Sequence, residues 1–208
     1  NAPEQKILKL WEGLGYYSRA KNLKKSAQII YGELSGKLPS TVKSLQNLPG
    51  VGRYTAGAIS SIAFGLKAPV LDGNVKRVLS RLFCINTKGT TSASENCFWE
   101  KAEDLVPIRR PGDFNQALME LGAIVCIPAS PPCQQCPLRT TCKAFLKKRV
   151  NEFPPSKTKN SSKKIEVSAG IIIKNKKVYI QQRMKSGLMG GLWEFPGGKR
   201  EQGESPEE

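Results

Sequence analysis

Leu48-Pro49-Gly50-Val51-Gly52-Arg53-Tyr54-Thr55-Ala56-Gly57 holds, within ten residues, the end of a short helical segment, a Pro and Gly turn, and the start of a second helix running to Phe64. Pro49 presets its own φ, and the glycines at 50 and 52 carry no side chain to block an approaching group. Backbone N–H groups at the next helix start then point outward, where the helix dipole favours a phosphate oxygen. Such a contact positions a nucleic acid without reading its sequence. Leu48, Pro49, Gly50, Val51, Gly52 and Arg53 are therefore candidate binding residues, against the alternative of an ordinary tight turn between helices.

On both sides of this turn the pattern stays helical. Apolar residues recur at three- and four-residue spacing between Gly, Pro and Ser turns, giving expected helices at 4–13, 18–34, 41–47, 53–64, 73–84, 94–105 and 113–125. Residues 1–150 thus read as one all-α domain. Residues 151–164 combine Pro, Ser and Lys and read as a linker. From Ile165 the pattern changes to β-branched alternation, with strands expected at 165–173 and 177–182 around a Lys174-Asn175-Lys176 turn.

The charge agrees with a polyanionic partner. The 208 residues contain 33 Lys and Arg against 17 Asp and Glu, a net charge of +16; DNA or RNA is the first expectation and an anionic membrane surface the second. No apolar run reaches the roughly 18 residues that would span a bilayer, and Asn1-Ala2-Pro3-Glu4-Gln5 does not begin a secretion leader. A soluble, intracellular protein is expected. The chain has no histidine, so acid–base chemistry would rest on carboxylates, Lys, Tyr or Cys. Arg53, Lys76, Arg77, Arg81 and Lys88 are candidates for backbone phosphates or, more simply, solvated charges.

Four of the six cysteines, Cys126, Cys133, Cys136 and Cys142, form C-x6-C-x2-C-x5-C in a segment stiffened by Pro128, Pro131, Pro132 and Pro137. Cysteine sulfur is the soft ligand that iron–sulfur clusters require, and four thiolates complete a [4Fe-4S] cubane. A four-cysteine zinc site is the alternative, although such sites are built from two C-x2-4-C knuckles and only one is present. Cys84 and Cys97 lie in apolar helical stretches and read as small buried residues.

Four segments together resemble the adenine DNA glycosylases of the MutY type, within the helix-hairpin-helix endonuclease III superfamily: Leu10 to Ala20 (LWEGLGYYSRA), Leu48 to Gly57, Leu71 to Val78 (LDGNVKRV), and the cysteine quartet. The resemblance covers nearly all of residues 1–145. It implies base-excision repair by a monofunctional enzyme that hydrolyses the N-glycosidic bond of adenine opposite 8-oxoguanine or guanine in double-stranded DNA. It further implies a structural [4Fe-4S] cluster, no membrane association, a monomer, and a place in the bacterial cytosol or nucleoid.

Residue roles follow from the same likeness. Asp72 would face the developing positive charge on the sugar, Asn74 would support it, and Tyr16 would enter the duplex beside the lesion. Tyr54 stands where lyase-competent relatives carry a nucleophilic lysine. From the residues alone, Asp72 is an N-cap and Tyr16 a core aromatic. Residues 165–208 resemble the opening of a Nudix (MutT-like) domain, through Leu192-Trp193-Glu194-Phe195-Pro196-Gly197-Gly198 and Gly198-x5-Glu204. The family's general-acid glutamate has no counterpart here, since Glu4, Glu12 and Glu33 stand in other contexts, so this stretch alone is expected to be inactive. An endonuclease III-like glycosylase/lyase and a noncatalytic DNA-binding iron–sulfur module are the competing readings; Tyr54 and the Nudix-like tail argue against the first.

Overall fold

The computed structural model describes residues 2–86, 92–155, 165–184, 187, 189–200 and 203–205. Lys88, linker residues 156–164 and, within the Gly-rich Nudix-like stretch, residues 185, 186, 188, 201 and 202 lie outside them. The chain divides into two compact units, Asn1–Thr158 and Lys159–Glu208.

The first unit is helical. In order it contains α1 (Glu4–Leu10), α2 (Tyr17–Gly32), α3 (Val42–Leu45), α4 (Arg53–Phe64), α5 (Gly73–Phe83), α6 (Ser92–Leu105), α7 (Pro111–Glu120) and α8 (Lys143–Leu146), with short 3-10 turns at Cys133–Gln135 and Val150–Glu152. Local chemistry sets the ends. Thr41 caps α3 by accepting from the Ser44 N–H, and Asp72 caps α5 by accepting from the Val75 N–H at 2.7 Å. Left-handed residues close α4 at Gly65 and α5 at Cys84.

Two cores hold these helices. The larger gathers Val75, Val78 and Leu79 of α5, Phe98, Trp99 and Ala102 of α6, Leu118 of α7, and Val70 and Leu71 from the segment entering α5. The smaller holds Leu45, Leu48 and Ala56, packed by Ile29 and Ile30 of α2. Each fully buried Leu or Val stabilises the fold by roughly 1.5–3 kcal/mol. A buried amide joins the layers: Asn115 of α7 donates at 2.8 Å to Ser61 Oγ of α4 and to the Ala68 carbonyl, while its Oδ1 has no partner among the described residues.

The helix expected over 113–125 divides. It is α-helical as far as Glu120 and then widens into a π-turn at Leu121–Val125, where the Cys126 N–H donates to the Leu121 carbonyl at 2.7 Å. Gly122 there packs against Asn74, leaving no space for a Cβ. The first helix stops at Leu10 because Gly13 and Gly15 turn left-handed. Cys84 and Cys97 are half-buried instead of enclosed, Cys84 because it ends α5 at φ 56°. The first unit also continues past residue 150: Phe153 is buried and its carbonyl is bound by Arg81.

The second unit contains three antiparallel pairs among its described residues: β1 (Val167–Ala169) with β6 (Gly197–Lys199), β2 (Ile173–Lys174) with β3 (Lys177–Val178), and β4 (Gln181–Gln182) with β5 (Trp193–Glu194). Asn175 and Lys176, both at positive φ, make the two-residue turn of the β2–β3 hairpin. The two long expected strands change partner along their length. The first pairs with β6 as far as Gly170, whose N–H bonds the Pro196 carbonyl, and beyond it with β3, where the Tyr179 N–H bonds the Ile172 carbonyl. The second passes from β2 to β5. Arg183 bridges to Glu194 across β4 and β5.

α4 and α7 cross where Gly112 meets α4: a Cβ on Gly112 would stand 2.6 Å from the Ser61 carbonyl oxygen and 2.8 Å from the Ile62 Cα. Backbone cannot yield as a side-chain tip can. Gly112→Ala is expected to cost about 1–3 kcal/mol, read as a lower urea midpoint with an unchanged m-value.

Candidate functional site

The turn at Leu48–Val51 is built as the sequence suggests. Pro49 and Gly50 occupy its two central positions, Gly50 at φ 76°, and the Val51 N–H closes it on the Leu48 carbonyl at 3.1 Å. It rests on α2: Ser26 donates to the Pro49 carbonyl at 3.0 Å, and Asn22 fills the space a Gly50 side chain would need. Leu48 is an anchor and not an outward contact, since its side chain is buried and its N–H donates to Leu45. Gly52 is different. A Cβ there would meet nothing, and no acceptor among the described residues takes the N–H of Gly50 or Gly52. This open edge, ending in the uncapped start of α4, faces outward.

Around it, Arg53 stacks on the ring of the buried Trp99, 4.0 Å from its centre. Tyr54 is partly exposed and its hydroxyl donates to Met119 Sδ at 3.5 Å. Lys76 pairs with Glu95 at 2.8 Å, and this neighbouring ammonium holds the Glu95 carboxyl below its usual range.

Asp72 is half-buried at the start of α5, and its carboxylate oxygen is held by the Val75 N–H. Asn74 lies in the first turn of the same helix, its Oδ1 accepting from Arg77 at 2.8 Å. Arg77 also donates to the carbonyls of Gly122 at 2.6 Å and Cys126 at 2.7 Å. The start of α5 is thereby tied to the π-turn that delivers the first cysteine of the quartet. Tyr16 is elsewhere on the unit, ahead of α2, left-handed at φ 47° and 80% exposed. Packing in the core is thus ruled out for Tyr16.

All four cysteines of the quartet line one small cavity of about 30 Å³, together with Arg81, Leu121 and Phe145. Among the described residues, no group of three or more His, Cys, Asp or Glu side chains is arranged to hold a metal ion at one point. Burial pushes the thiols of Cys133 and Cys142 above the usual range; at Cys133 the neighbouring Cys126 adds to it, and at Cys142 the N–H groups of Phe145 and Ala144 oppose it. Arg81 is 3% exposed, so it is neither a solvated charge nor a phosphate contact. Its guanidinium donates to the carbonyls of Ile127 at 2.7 Å, Pro128 at 2.9 Å and Phe153 at 2.9 Å, and reaches Cys126 Sγ at 3.4 Å. Sequence reasoning missed this role. The signal was present: Arg81 falls three residues after Val78 on the apolar stripe of α5, where a charge requires buried partners.

The model of the HhH-GPD superfamily of base excision DNA repair proteins matches residues 1–104, and the chain belongs to that family. A NUDIX domain model matches residues 168–208. Within the superfamily the chain is similar to adenine DNA glycosylases: that of Homo sapiens is 38% identical over 94% of this chain and 44% of its own length, and that of Buchnera aphidicola 36% over 94% and 56%. The chain spans about half the length of these curated relatives. Among solved structures, a thermostable thymine-DNA glycosylase matches with TM-score 0.62 and 35% identity, covering 70% of this chain and 67% of that one. Endonuclease III bound to DNA matches with TM-score 0.57 and 27% identity, covering 71% and 67%. Among the described residues, no helix is long and apolar enough to cross a membrane.

Replacing Arg81 by Gln would leave buried carbonyls on both sides of the cysteine loop without donors. The expected cost is about 2–4 kcal/mol, with hydrogen exchange accelerating first in residues 126–153. Uniform loss of protection over all helices would contradict that order.

Proposed function

We propose that the protein to which this chain belongs is a monofunctional adenine DNA glycosylase, acting on adenine opposite 8-oxoguanine or guanine in double-stranded DNA. The observation that carries the reading is Asp72: a half-buried carboxylate fixed at the start of α5, in a fold of the base-excision superfamily. Target adenine leaves the stack before its glycosidic bond can be reached. As that bond breaks, positive charge grows on the sugar, and a fixed carboxylate stabilises it without having to reorganise. The Val75 N–H keeps Asp72 oriented for this task, and Asn74, steadied by Arg77, supports the sugar side. The open edge at Gly50, Gly52 and Arg53 takes a backbone phosphate on its N–H groups, and Tyr16 enters the duplex beside the lesion. Tyr54 carries no amine, so no Schiff base forms at that position and the strand is left uncut.

Cys126, Cys133, Cys136 and Cys142 suit a [4Fe-4S] cluster. A cubane takes one thiolate at each corner, and the four cysteines line one cavity. The cluster would supply a structural bracket for the loop. Excision itself rests on carboxylates.

In single-turnover reactions on an 8-oxoguanine:adenine duplex, the whole protein should release adenine, and Asp72→Asn should slow release at least about 100-fold while retaining duplex binding. Equal rates would remove Asp72 from the mechanism. Cleavage of the strand together with a borohydride-trappable adduct on a lysine would favour the lyase reading. Purified chain should carry four iron and four sulfide with broad visible absorbance; stoichiometric zinc would reject the cluster.

A further inference from the structure

Tyr16 presents an 80% exposed ring on a left-handed residue, a conformation bulky side chains avoid. An exposed ring of that size gains nothing from its position by burial, so other contacts must keep it there. Gly13 at φ 83° and Gly15 at φ 63° bend the chain twice just before it, and the Arg19 N–H then takes the Tyr16 carbonyl at 2.8 Å as α2 begins. Trp11 closes the loop from the other side by donating its indole N–H to the Gly15 carbonyl at 3.0 Å. The Arg19 guanidinium lies 5.4 Å from the Tyr16 ring centre and 5.6 Å from that of Trp11, within cation–π range of both.

We infer that Trp11 and Arg19 are positioning residues that hold Tyr16 erect as a preformed wedge for duplex DNA. The inference rests on the reading of Tyr16 as the ring that enters the duplex. Indole, guanidinium and phenol form a ladder anchored by the half-buried Trp11 and ending in the exposed ring. The ladder removes the rotamer freedom that Tyr16 would otherwise lose on insertion, so binding does not have to order it. It also places a delocalised cation behind a ring about to meet a polyanion. A planar guanidinium can face two rings, whereas the compact ammonium of lysine cannot stack in that way.

The test uses the 208-residue chain and an 8-oxoguanine:adenine duplex carrying 2-aminopurine beside the target adenine, where a stacked phenol quenches its emission. Tyr16→Ala should abolish the protein-dependent quenching. Arg19→Lys, which keeps the charge, and Trp11→Phe, which keeps a ring but removes the indole donor, should each reduce it by about two- to five-fold, with an unfolding midpoint like that of the parent. Parent-level quenching in Arg19→Lys and Trp11→Phe while Tyr16→Ala is silent overturns the ladder. Parent-level quenching in Tyr16→Ala overturns the placement of Tyr16 in the duplex, and the ladder with it.

Discussion

One buried guanidinium holds together the parts of the first unit that sequence keeps far apart. Arg81 leaves water almost entirely, which costs several kcal/mol unless every donor finds an acceptor, and it finds them in the backbone at 127, 128 and 153. The cysteine loop between these points contains little regular structure and cannot bury an apolar face of its own. This one side chain of α5 reaches both the entry and the exit of the loop. Arg77, one turn earlier, does the same for the π-turn and for Asn74. The helix capped by Asp72 therefore carries three duties: the proposed catalytic carboxylate, its proposed supporting amide, and the bracket of the cysteine loop.

This arrangement gives the loop a role that needs no redox step. A rigid loop transmits its rigidity to the Gly122–Asn74 contact, where backbone and side chain already touch too closely for an added methyl. Disturbing the thiol end would loosen Arg77 and, through it, Asn74. The hairpin is supported separately, by the small core under Leu45 and Leu48 and by Asn22 and Ser26 of α2. The proposed phosphate contact and the proposed base chemistry thus rest on different packing units of one fold.

The helical architecture was legible because its signals are local. Turn residues at Leu48–Gly52, the cap at Asp72 and the spacing of Val75, Val78 and Leu79 all act over four residues or fewer. The cysteine quartet was equally visible as a pattern, since ligand spacing is written along the chain. What sequence did not disclose is three-dimensional partnership. Nothing near Arg81 in sequence announces carbonyls 46 to 72 residues away, and the Trp11–Arg19 relation depends on a double glycine bend between them. Leu48 illustrates the complementary error: it sits inside the binding motif yet serves the core, because a motif names positions and not the direction of side chains. The long strands expected after Ile165 are divided because their two parts pair with different partners, which local β-propensity does not announce.

The π-turn at Leu121–Val125 changes how the chain past it must be counted. An α-helix advances about 100° per residue, and the wide turn takes up one residue more than that spacing allows. Side chains past the turn are therefore rotated from the spacing that α7 sets, and Cys126 lines the cavity. The segment behaves as a register key. A chain shortened by a single residue there could close as ordinary α-helix, intact in its hydrogen bonds, and would swing the first cysteine roughly a quarter turn away from the other three.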